Sequence, residues 1–373
     1  MIYLDNAATT YPKPKEVYNA LDYANRFLSF NAGRGESKES LAAFKCIEEC
    51  RTKVSEIAGV EKERVVFTDS ATMASNIIIA GLDLSEGDVV YVSPFEHNAI
   101  CRVLEIYKEK GVEVEVLRFD EQTLSPDLDS IKNQFVRKKP RAVFVSEISN
   151  VTGTIVDFES IFEISRKYTC TNVLDSSQAF GLIKSDSYLS VDYQIFAGHK
   201  TLYASFGIGG FIIRTIDSLK VSLAGGTGSD SLNLSMPSSL PSKYEFGSPN
   251  VVACCGLSSA IDWLNDNNVN EKIKNLTDYL YERINEVEKA VVYGRKSNHI
   301  AILSFNIEGF NPSDVGRILS DEYNISVRTG YHCAPFIHNL LGTTDVGGTV
   351  RVSLGFFNTK EDVDVLIEAL KTL

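Results

Sequence analysis

Residues 195–210 read Ile195-Phe-Ala-Gly-His-Lys-Thr-Leu-Tyr-Ala-Ser-Phe-Gly-Ile-Gly-Gly210, and the rest of the chain is organised around this stretch. An apolar run of β character, 191–196, ends abruptly at Gly198-His199-Lys200, and a second apolar run follows at 210–213. A lysine where a strand ends, beside a glycine and a histidine, suits an amine that must reach a buried carbonyl group. Taken alone, the stretch is equally consistent with a surface lysine in a turn. The surrounding sequence decides between these interpretations.

Short apolar runs alternate with helix-length amphipathic segments through most of the chain. Runs of strand character occur at 65–68, 89–92, 112–117, 142–146, 173–175 and 194–197. Helical patterns lie between them, at 99–111, 126–135 and 158–168. This alternation predicts an α/β fold with a mostly parallel sheet covered by helices on both faces.

The two ends of the chain differ in character from this middle part. Residues 1–40 carry turn chemistry, including Pro12-Lys-Pro14 and Asn31-Ala-Gly-Arg-Gly35, and are expected to be largely extended. Helical periodicity follows at 41–60. We predict an N-terminal arm, 1–14, ahead of a large domain, 15–250.

The character of the sequence changes after about Pro249, where a long helical stretch, 251–287, leads to further strands. These strands are predicted near 300–306, 325–328 and 350–354. Asn358-x-x-Glu361 predicts a capping box with Asn358 in the cap position of the last helix. We therefore predict a smaller C-terminal α/β domain, 251–373.

Composition limits the kinds of function that the chain can have. Its 373 residues are 44% hydrophobic and 23% charged, which is ordinary for a globular protein. The net charge of -12, without a compensating basic block, disfavours binding to nucleic acid or to an anionic membrane. No run approaches the length of a membrane span, and the start resembles no signal peptide. We expect a cytoplasmic location.

The chain has seven cysteines, an odd number spread over a sequence with no secretory signal. This distribution predicts reduced thiols and no disulfide framework. Cys46 and Cys50 share one face of a predicted helix, and Cys254-Cys255 lies in an apolar stretch, so all four are expected to pack in the core. Cys333 alone lies in a segment that suggests chemistry.

Several motifs in order resemble one family. Gly198-His199-Lys200 resembles the lysine motif of the class V enzymes of fold type I that use pyridoxal phosphate (PLP), and Asp175-Ser-Ser-Gln178 resembles the segment that holds their pyridine ring. Arg328-Thr-Gly-Tyr-His-Cys333-Ala-Pro resembles the active-cysteine loop of cysteine desulfurases and selenocysteine lyases. The likeness extends from Tyr3-Leu-Asp-Asn-Ala-Ala-Thr-Thr10 to Arg351-Val-Ser-Leu-Gly-Phe-Phe-Asn-Thr359. It implies a seven-stranded-type sheet like that of aspartate aminotransferase, with the arm packed on the small domain.

The resemblance assigns a role to each residue around the cofactor. Lys200 would attach PLP, the Asp175 carboxylate would keep the pyridine nitrogen protonated, and His97 would stack on the ring and move protons. The phosphate would lie at the helix start that Thr68-Asp-Ser-Ala-Thr72 opens. The residues implied to bind the cofactor are Ala71, Thr72, His97, Asn150, Asp175, Gln178, His199, Lys200 and Ser248.

The reaction residues implied by the resemblance are Cys333, Lys200 and His97. Cys333 would take the sulfur of L-cysteine as a persulfide, and Arg351, with Asn150, would bind the substrate carboxylate through its guanidinium fork. The short spacing from Cys333 to Arg351 resembles the desulfurases that include selenocysteine lyases. His332, Cys333 and His338 also invite comparison with a metal site, but no fourth ligand is suitably spaced, so we predict no metal.

Ser248 matches a family position that reaches the phosphate of a neighbouring subunit, which implies a homodimer. Four positions depart from the family pattern. Ser70 stands where glycine is usual and Ala197 where serine is usual, while Ser37 and Glu147 replace two histidines. Glu147, if it faced the substrate, would add negative charge that disfavours the Cys333 thiolate.

The leading hypothesis is a PLP-dependent cysteine desulfurase that passes sulfur to an acceptor protein or thiol. One alternative keeps the cofactor and changes the reaction, to a selenocysteine lyase, another lyase or an aminotransferase. A second alternative is a catalytically weakened PLP-fold protein that serves as a sulfur-transfer partner. The sequence does not name the acceptor.

Overall fold

A computed structural model describes residues 1–373 with the exception of 33–36, 185–187, 216, 229–231 and 295, so part of the predicted turn at Asn31–Gly35 lies outside the described residues. The described helices are α1 Lys15–Phe27, α2 Lys38–Ala58, α3 Ala71–Gly81, α4 Asn98–Lys108, α5 Leu128–Arg137, α6 Phe158–Ser165, α7 Val251–Asp266, α8 Val269–Ile284, α9 Pro312–Tyr323, α10 Ile337–Leu340 and α11 Lys360–Leu370. The described strands are β1 Ile2–Tyr3, β2 Val65–Thr68, β3 Val89–Val92, β4 Glu113–Val116, β5 Pro140–Ser146, β6 Thr171–Asp175, β7 Tyr193–Ala197, β8 Gly209–Ile213, β9 Ala290–Tyr293, β10 Ile302–Ile307, β11 Ile325–Ser326, β12 Arg328–Gly330 and β13 Thr349–Ser353.

The largest sheet has seven strands in the order β2-β8-β7-β6-β5-β3-β4. Every pairing is parallel except those of β8, which runs antiparallel to both β2 and β7. This arrangement confirms the predicted α/β fold with a mostly parallel seven-stranded sheet. Each predicted strand of this sheet is present within a residue or two of its expected bounds.

Both faces of this sheet are buried, which explains the nearly continuous apolar runs of its strands. Alternate residues belong to different cores: Val90 and Phe144 pack with α3 and α4, whereas Tyr91 and Val143 pack with α5 and α6. Neighbouring side chains of a strand point to opposite faces, so each strand supplies apolar contacts to two helical layers. The carboxyl ends of the parallel strands are left free to build a site.

The C-terminal part contains an antiparallel sheet in the order β12-β13-β10-β9. The first residues of the chain join this part, because Ile2 and Tyr3 pair in parallel with Ile325 and Ser326, and Leu4 is buried in the same core. The helix α7 packs instead against α1 and α2. These contacts are compatible with the predicted arm, whereas the exact domain bounds stay a prediction.

Three local predictions were wrong. Residues 15–27 form a helix, not an extended arm, because Val17, Leu21 and Ala24 recur at helical spacing and pack into the core beside α7. The stretch 251–287 is two helices separated at Asn267-Asn268. The last helix is capped by Thr359 with Asp362 as its partner, one residue later than the predicted capping box.

The prediction of reduced thiols was wrong for one pair. Cys46 of α2 and Cys255 of α7 form a disulfide across a separation of 209 residues, with their Cα atoms 6.0 Å apart. The spacing of cysteines in a sequence carries no information on such a pairing, because the packing of α2 on α7 creates it. Cys50, Cys101, Cys170, Cys254 and Cys333 are free. No helix in the described part of the chain is long and apolar enough to cross a bilayer.

Candidate active site

A cavity of about 200 Å³ lies where the carboxyl ends of the parallel strands meet the antiparallel pair β12 and β13. It gathers residues from distant parts of the chain, as expected for a ligand site in an open parallel sheet. The residues that line it are Ala7, Ala8, Ser70, Ala71, Thr72, His97, Ala99, Asn150, Asp175, Ser177, Gln178, Ala197, His199, Lys200, Arg328, His332, Cys333 and Arg351. Every predicted site residue except Ser248 is therefore in this cavity.

Lys200 follows the end of β7 and is held through the peptide group before it. The carbonyl oxygen of His199 accepts hydrogen bonds from the Thr10 backbone N–H at 3.1 Å, from Thr9 Oγ1 at 3.0 Å and from Lys13 Nζ at 2.9 Å. Burial lowers the pKa of Lys200, while the nearby Asp175 carboxylate acts in the opposite direction. The amine therefore loses its proton more readily than an exposed lysine does.

Asp175 and His97 lie on the cavity wall at the ends of two other elements. Asp175 is the last residue of β6, and its buried carboxylate accepts a hydrogen bond from the Ser177 backbone N–H at 2.9 Å. His97 caps α4, where its Nδ1 accepts from the Ala99 backbone N–H at 3.0 Å. Burial and the charge of Lys200 lower the pKa of His97 to about 4, so the imidazole is neutral near neutral pH.

The start of α3 forms another part of the wall, with Ala71 and Thr72 lining the cavity. Ser70 is the N-cap of this helix, and its hydroxyl accepts from the Met73 backbone N–H at 3.2 Å. The substitution of serine for the usual glycine thus keeps a capped helix start beside the cavity. Ala197, which replaces a usual serine, also lines the cavity but offers no hydroxyl group.

Arg351 is almost wholly buried on β13 and is anchored on two sides. Its Nη1 donates to the Asn150 carbonyl oxygen at 2.8 Å, and its Nη2 forms an ion pair with Asp5 Oδ1 at 2.6 Å. Among the described residues, no group accepts a hydrogen bond from Arg351 Nε, and none donates to Asn150 Oδ1. Buried polar atoms without partners are rare, so two of them in residues of one cavity wall point to a polar ligand.

Cys333 faces the same cavity from the segment after β12. Arg328 Nη2 lies 3.6 Å from the Cys333 Sγ atom. Two nearby histidine rings form hydrogen bonds with threonine hydroxyl groups. His332 Nε2 lies 2.9 Å from Thr349 Oγ1, and His338 Nδ1 lies 2.8 Å from Thr343 Oγ1. In the part of the chain that the structure describes, no group of three or more histidine, cysteine or acidic residues is placed to hold a metal ion.

Comparisons with known proteins show the family of the chain. The family model described as aminotransferase class-V matches residues 2–366. The chain belongs to the class-V aminotransferase family. A probable cysteine desulfurase of Methanothermobacter thermautotrophicus is 32% identical over 100% of this chain and 94% of its own length. A cysteine desulfurase of Haloferax volcanii is 29% identical over 99% of this chain and 88% of its own.

Solved structures extend the likeness to the fold. The apo cysteine desulfurase from Thermococcus onnurineus NA1 has a TM-score of 0.91 at 28% identity, covering 100% of this chain and 94% of that one. The cysteine desulfurase CsdA from Escherichia coli has a TM-score of 0.86 at 28% identity, covering 99% and 94% respectively. The predicted recognition as a class V member of the cysteine desulfurase group is thereby confirmed.

Three predicted positions of the class-V pattern lie away from the cavity. Ser248 is exposed and lines a separate cavity of about 410 Å³ between α2 and the segment before α7. Ser37 caps α2, accepting from the Ser40 backbone N–H at 3.1 Å. Glu147 is buried and accepts hydrogen bonds from the Ser176 and Tyr188 hydroxyl groups. The premise that Glu147 faces the substrate was therefore wrong. The expected effect of its negative charge on the Cys333 thiolate is withdrawn for the same reason.

Sequence reasoning missed several residues that support the site. Asp5, Thr10 and Lys13 hold Arg351 or the His199 carbonyl, and Arg328 contacts the Cys333 thiol. Asp5, Thr10 and Lys13 lie in or beside the N-terminal motif. We interpreted this segment as turns, so its contacts with distant parts of the chain were not predicted. Burial lowers the pKa of Lys13 to about 7, which a sequence cannot reveal.

Glu96 is a further missed residue, fully buried beside His97. Ser93 Oγ donates to its Oε1 at 2.7 Å, and burial, followed by the charge of Asp175, raises the pKa of Glu96 to about 8. The folded chain therefore holds this proton more tightly than the unfolded chain, whose glutamates titrate near ~4.3. The free energy of unfolding should fall as pH rises between these two values, by on the order of 5 kcal/mol from this residue.

The variant Glu96→Gln keeps the acceptor oxygen and cannot ionise, so its stability should depend less on pH over that interval. Urea unfolding near pH 5 and near pH 8 measures the difference, with Glu121→Gln, an exposed glutamate, as the control. Equal pH slopes for the wild type and Glu96→Gln would contradict the prediction.

Proposed function

We propose that the protein is a PLP-dependent cysteine desulfurase, which converts L-cysteine to L-alanine and carries the sulfur as a persulfide on Cys333. One observation carries the proposal: Lys200, Arg351 and Cys333, from three separate parts of the chain, line a single cavity. An amine, a carboxylate-binding guanidinium and a thiol are the three groups that this reaction needs close to one substrate. The names of the similar proteins support the same conclusion.

The residues present fit PLP. Lys200 would hold its aldehyde carbon, the buried Asp175 carboxylate its pyridine nitrogen, and the start of α3 at Ala71 and Thr72 its phosphate. His97 and Gln178 would contact the ring, and His199 the phosphate. When bound, PLP supplies an electron sink for bonds broken at the substrate's α-carbon.

The substrate carboxylate fits the Arg351 side of the cavity. Two of the three guanidinium nitrogens of Arg351 are fixed by Asp5 and Asn150, so the side chain is oriented before the substrate arrives. Its Nε–H and the Asn150 Oδ1 atom have no hydrogen-bond partner among the described residues. Arg351 Nε–H would bind the carboxylate of an amino acid. Asn150 Oδ1 is an acceptor, so it would bind the amino group, and not the carboxylate as the resemblance implied.

Lys200 and His97 are both placed for proton transfer. Burial lowers the pKa of each side chain, to about 4 for His97, so the imidazole is neutral near neutral pH and the Lys200 amine gives up its proton more readily than an exposed lysine does. Lys200 can therefore both act as a nucleophile and accept the substrate's α-proton. Cys333, which lines the same cavity, would then take the sulfur and pass it to a thiol or an acceptor protein.

The direct test is to supply the purified protein with PLP and L-cysteine. We expect one alanine per sulfur released, and a Cys333 peptide that is heavier by one sulfur atom before a reductant is added. Formation of a keto acid in place of alanine would favour an aminotransferase. A persulfide on another cysteine would remove Cys333 from the assignment.

We also propose that the enzyme works as a homodimer. Ser248 is exposed and does not line the cavity of its own chain, and the family position that it resembles reaches the phosphate of a neighbouring subunit. Light scattering should give twice the mass of one chain. Ser248→Ala should weaken PLP binding several-fold without changing that mass, and a fully active monomer would contradict the shared site.

A further inference from the structure

The segment that carries Cys333 is held in an unusual backbone conformation. His332 and Cys333 are consecutive non-glycine residues with positive φ, 48° and 58°. Such residues each cost about 1 kcal/mol or more, so the surroundings must impose the conformation. Asn150 Nδ2 donates to the His332 carbonyl at 2.7 Å, and the Asn98 backbone N–H donates to the Cys333 carbonyl at 2.7 Å. The thiol is therefore presented to the cavity in a fixed position.

Two arginines face this thiol from adjacent strands. Arg328 of β12 and Arg351 of β13 are directly opposite each other in the antiparallel pair, and both line the cavity. Like charges in directly opposite positions destabilise a sheet unless other groups compensate them. Asp5 compensates Arg351 through the ion pair of 2.6 Å.

Arg328 has a different partner. Within the described residues no carboxylate forms an ion pair with it, and its Nη2 instead lies 3.6 Å from Cys333 Sγ. The side chain is half-buried, so its charge is only partly screened by water. A guanidinium in this position gains most when the sulfur carries a negative charge.

We propose that Arg328 is the counter-ion of the sulfur anion on Cys333, both before and after sulfur transfer. The proposal rests on the function proposed above. The Cys333 thiolate attacks the substrate sulfur, a new S–S bond forms, and the Cβ–S bond breaks. The electron pair of that bond stays with Cβ, which takes a proton and becomes the methyl group of alanine. The terminal sulfur of the persulfide loses its own proton and carries the negative charge, and Arg328 stabilises it as it stabilised the thiolate.

The other groups around Cys333 do not replace Arg328 in this role. Lys200 and Arg351 are the other cations on the cavity wall, Asp175 is the anion, and His97, His199 and His332 are the titratable rings. Lys200 would be bound to the cofactor and Arg351 to the substrate carboxylate. Neither side chain can therefore serve as the counter-ion of the sulfur anion. Burial lowers the pKa of His332 to about 2, so this ring brings no charge at neutral pH.

The test is the rate at which iodoacetamide alkylates Cys333, followed by mass spectrometry of its peptide from about pH 6 to about pH 9. Arg328→Met removes the charge, Arg328→Lys keeps it, and Arg317→Met removes an exposed arginine of α9 that lies outside the cavity. We expect Arg328→Met to lower the rate of Cys333 alkylation at neutral pH by about ten-fold, because the guanidinium no longer stabilises the thiolate. Arg328→Lys should recover most of the rate, and Arg317→Met should match the wild type.

This measurement needs no turnover, so it stands whether or not the protein is a desulfurase. An Arg328→Met profile equal to that of the wild type would overturn the proposal. A change equal at Cys333 and at Cys170, a free thiol outside the cavity, would show altered folding and would also count against it. With L-cysteine, loss of sulfur from Cys333 should be faster in Arg328→Met; absence of any sulfur in the wild type would instead refute the proposed function.

Discussion

Replacement of Cys333 by alanine is expected to lower alanine formation from L-cysteine by about 1,000-fold or more, because sulfur leaves only when a thiolate held next to it attacks. Selenium leaves more readily than sulfur. The same variant should therefore keep most of its selenium release from L-selenocysteine. The comparison of the two substrates on one variant separates the sulfur-accepting step from substrate binding, which both substrates share.

The control for this prediction is Cys170→Ala, which removes a half-buried thiol that donates to the Ser165 carbonyl away from the cavity. It should retain full activity on both substrates. Full cysteine activity in Cys333→Ala would refute the persulfide mechanism. Equal loss on both substrates would instead mean that Cys333 serves binding or folding.

Replacement of Lys200 by alanine is expected to lower turnover by about 1,000-fold or more, because the residue both attaches the cofactor and moves the α-proton. Borohydride reduction of the wild type with PLP should add the mass of the reduced cofactor to the peptide that carries Lys200. In Lys200→Ala this label should be absent. Lys132→Ala, which changes an exposed lysine paired with Asp129, should behave as the wild type.

Lys13 makes this labelling test demanding. It is a second amine close to the cavity, its pKa is lowered to about 7 by burial, and its Nζ lies 2.9 Å from the His199 carbonyl. A neutral amine reacts with aldehydes, so Lys13 is the chemically credible competitor. Label on the Lys13 peptide of the wild type would overturn the assignment of Lys200. Absence of label on that peptide would show that the position of the amine, and not its pKa, decides where the cofactor attaches.

Much of the site was predictable because its residues follow strands. Asp175, Lys200 and Asn150 each come just after a buried apolar run, and the carboxyl ends of parallel strands meet at one edge of a sheet. Their mutual proximity therefore follows once the alternation of strands and helices is recognised. The resemblance to a family added the roles, and the chemistry of the side chains made those roles reasonable.

What escaped prediction depends on three-dimensional packing. Glu147 is only three residues from Asn150, yet it bonds with Ser176 and Tyr188 outside the cavity, and no sequence pattern distinguishes the two orientations. The helix α1 was hidden by the prolines before it, although Val17, Leu21 and Ala24 mark its buried face. The Cys46–Cys255 bridge and the ion pair of Asp5 with Arg351 join residues that are close only after folding.

The position of β8 in the large sheet has a consequence for the synthesis of the chain. The strand β2 is at the sheet edge, and its pairing partner within the sheet is β8, which is translated only after β3 to β7. Until β8 leaves the ribosome, the apolar strand β2 has no partner on either of its edges, although β3 to β7 can already assemble without it. Unpaired apolar strands are sites of aggregation in nascent chains. We therefore expect slow translation between these two strands to lower the yield of native protein, and a holding chaperone to restore it.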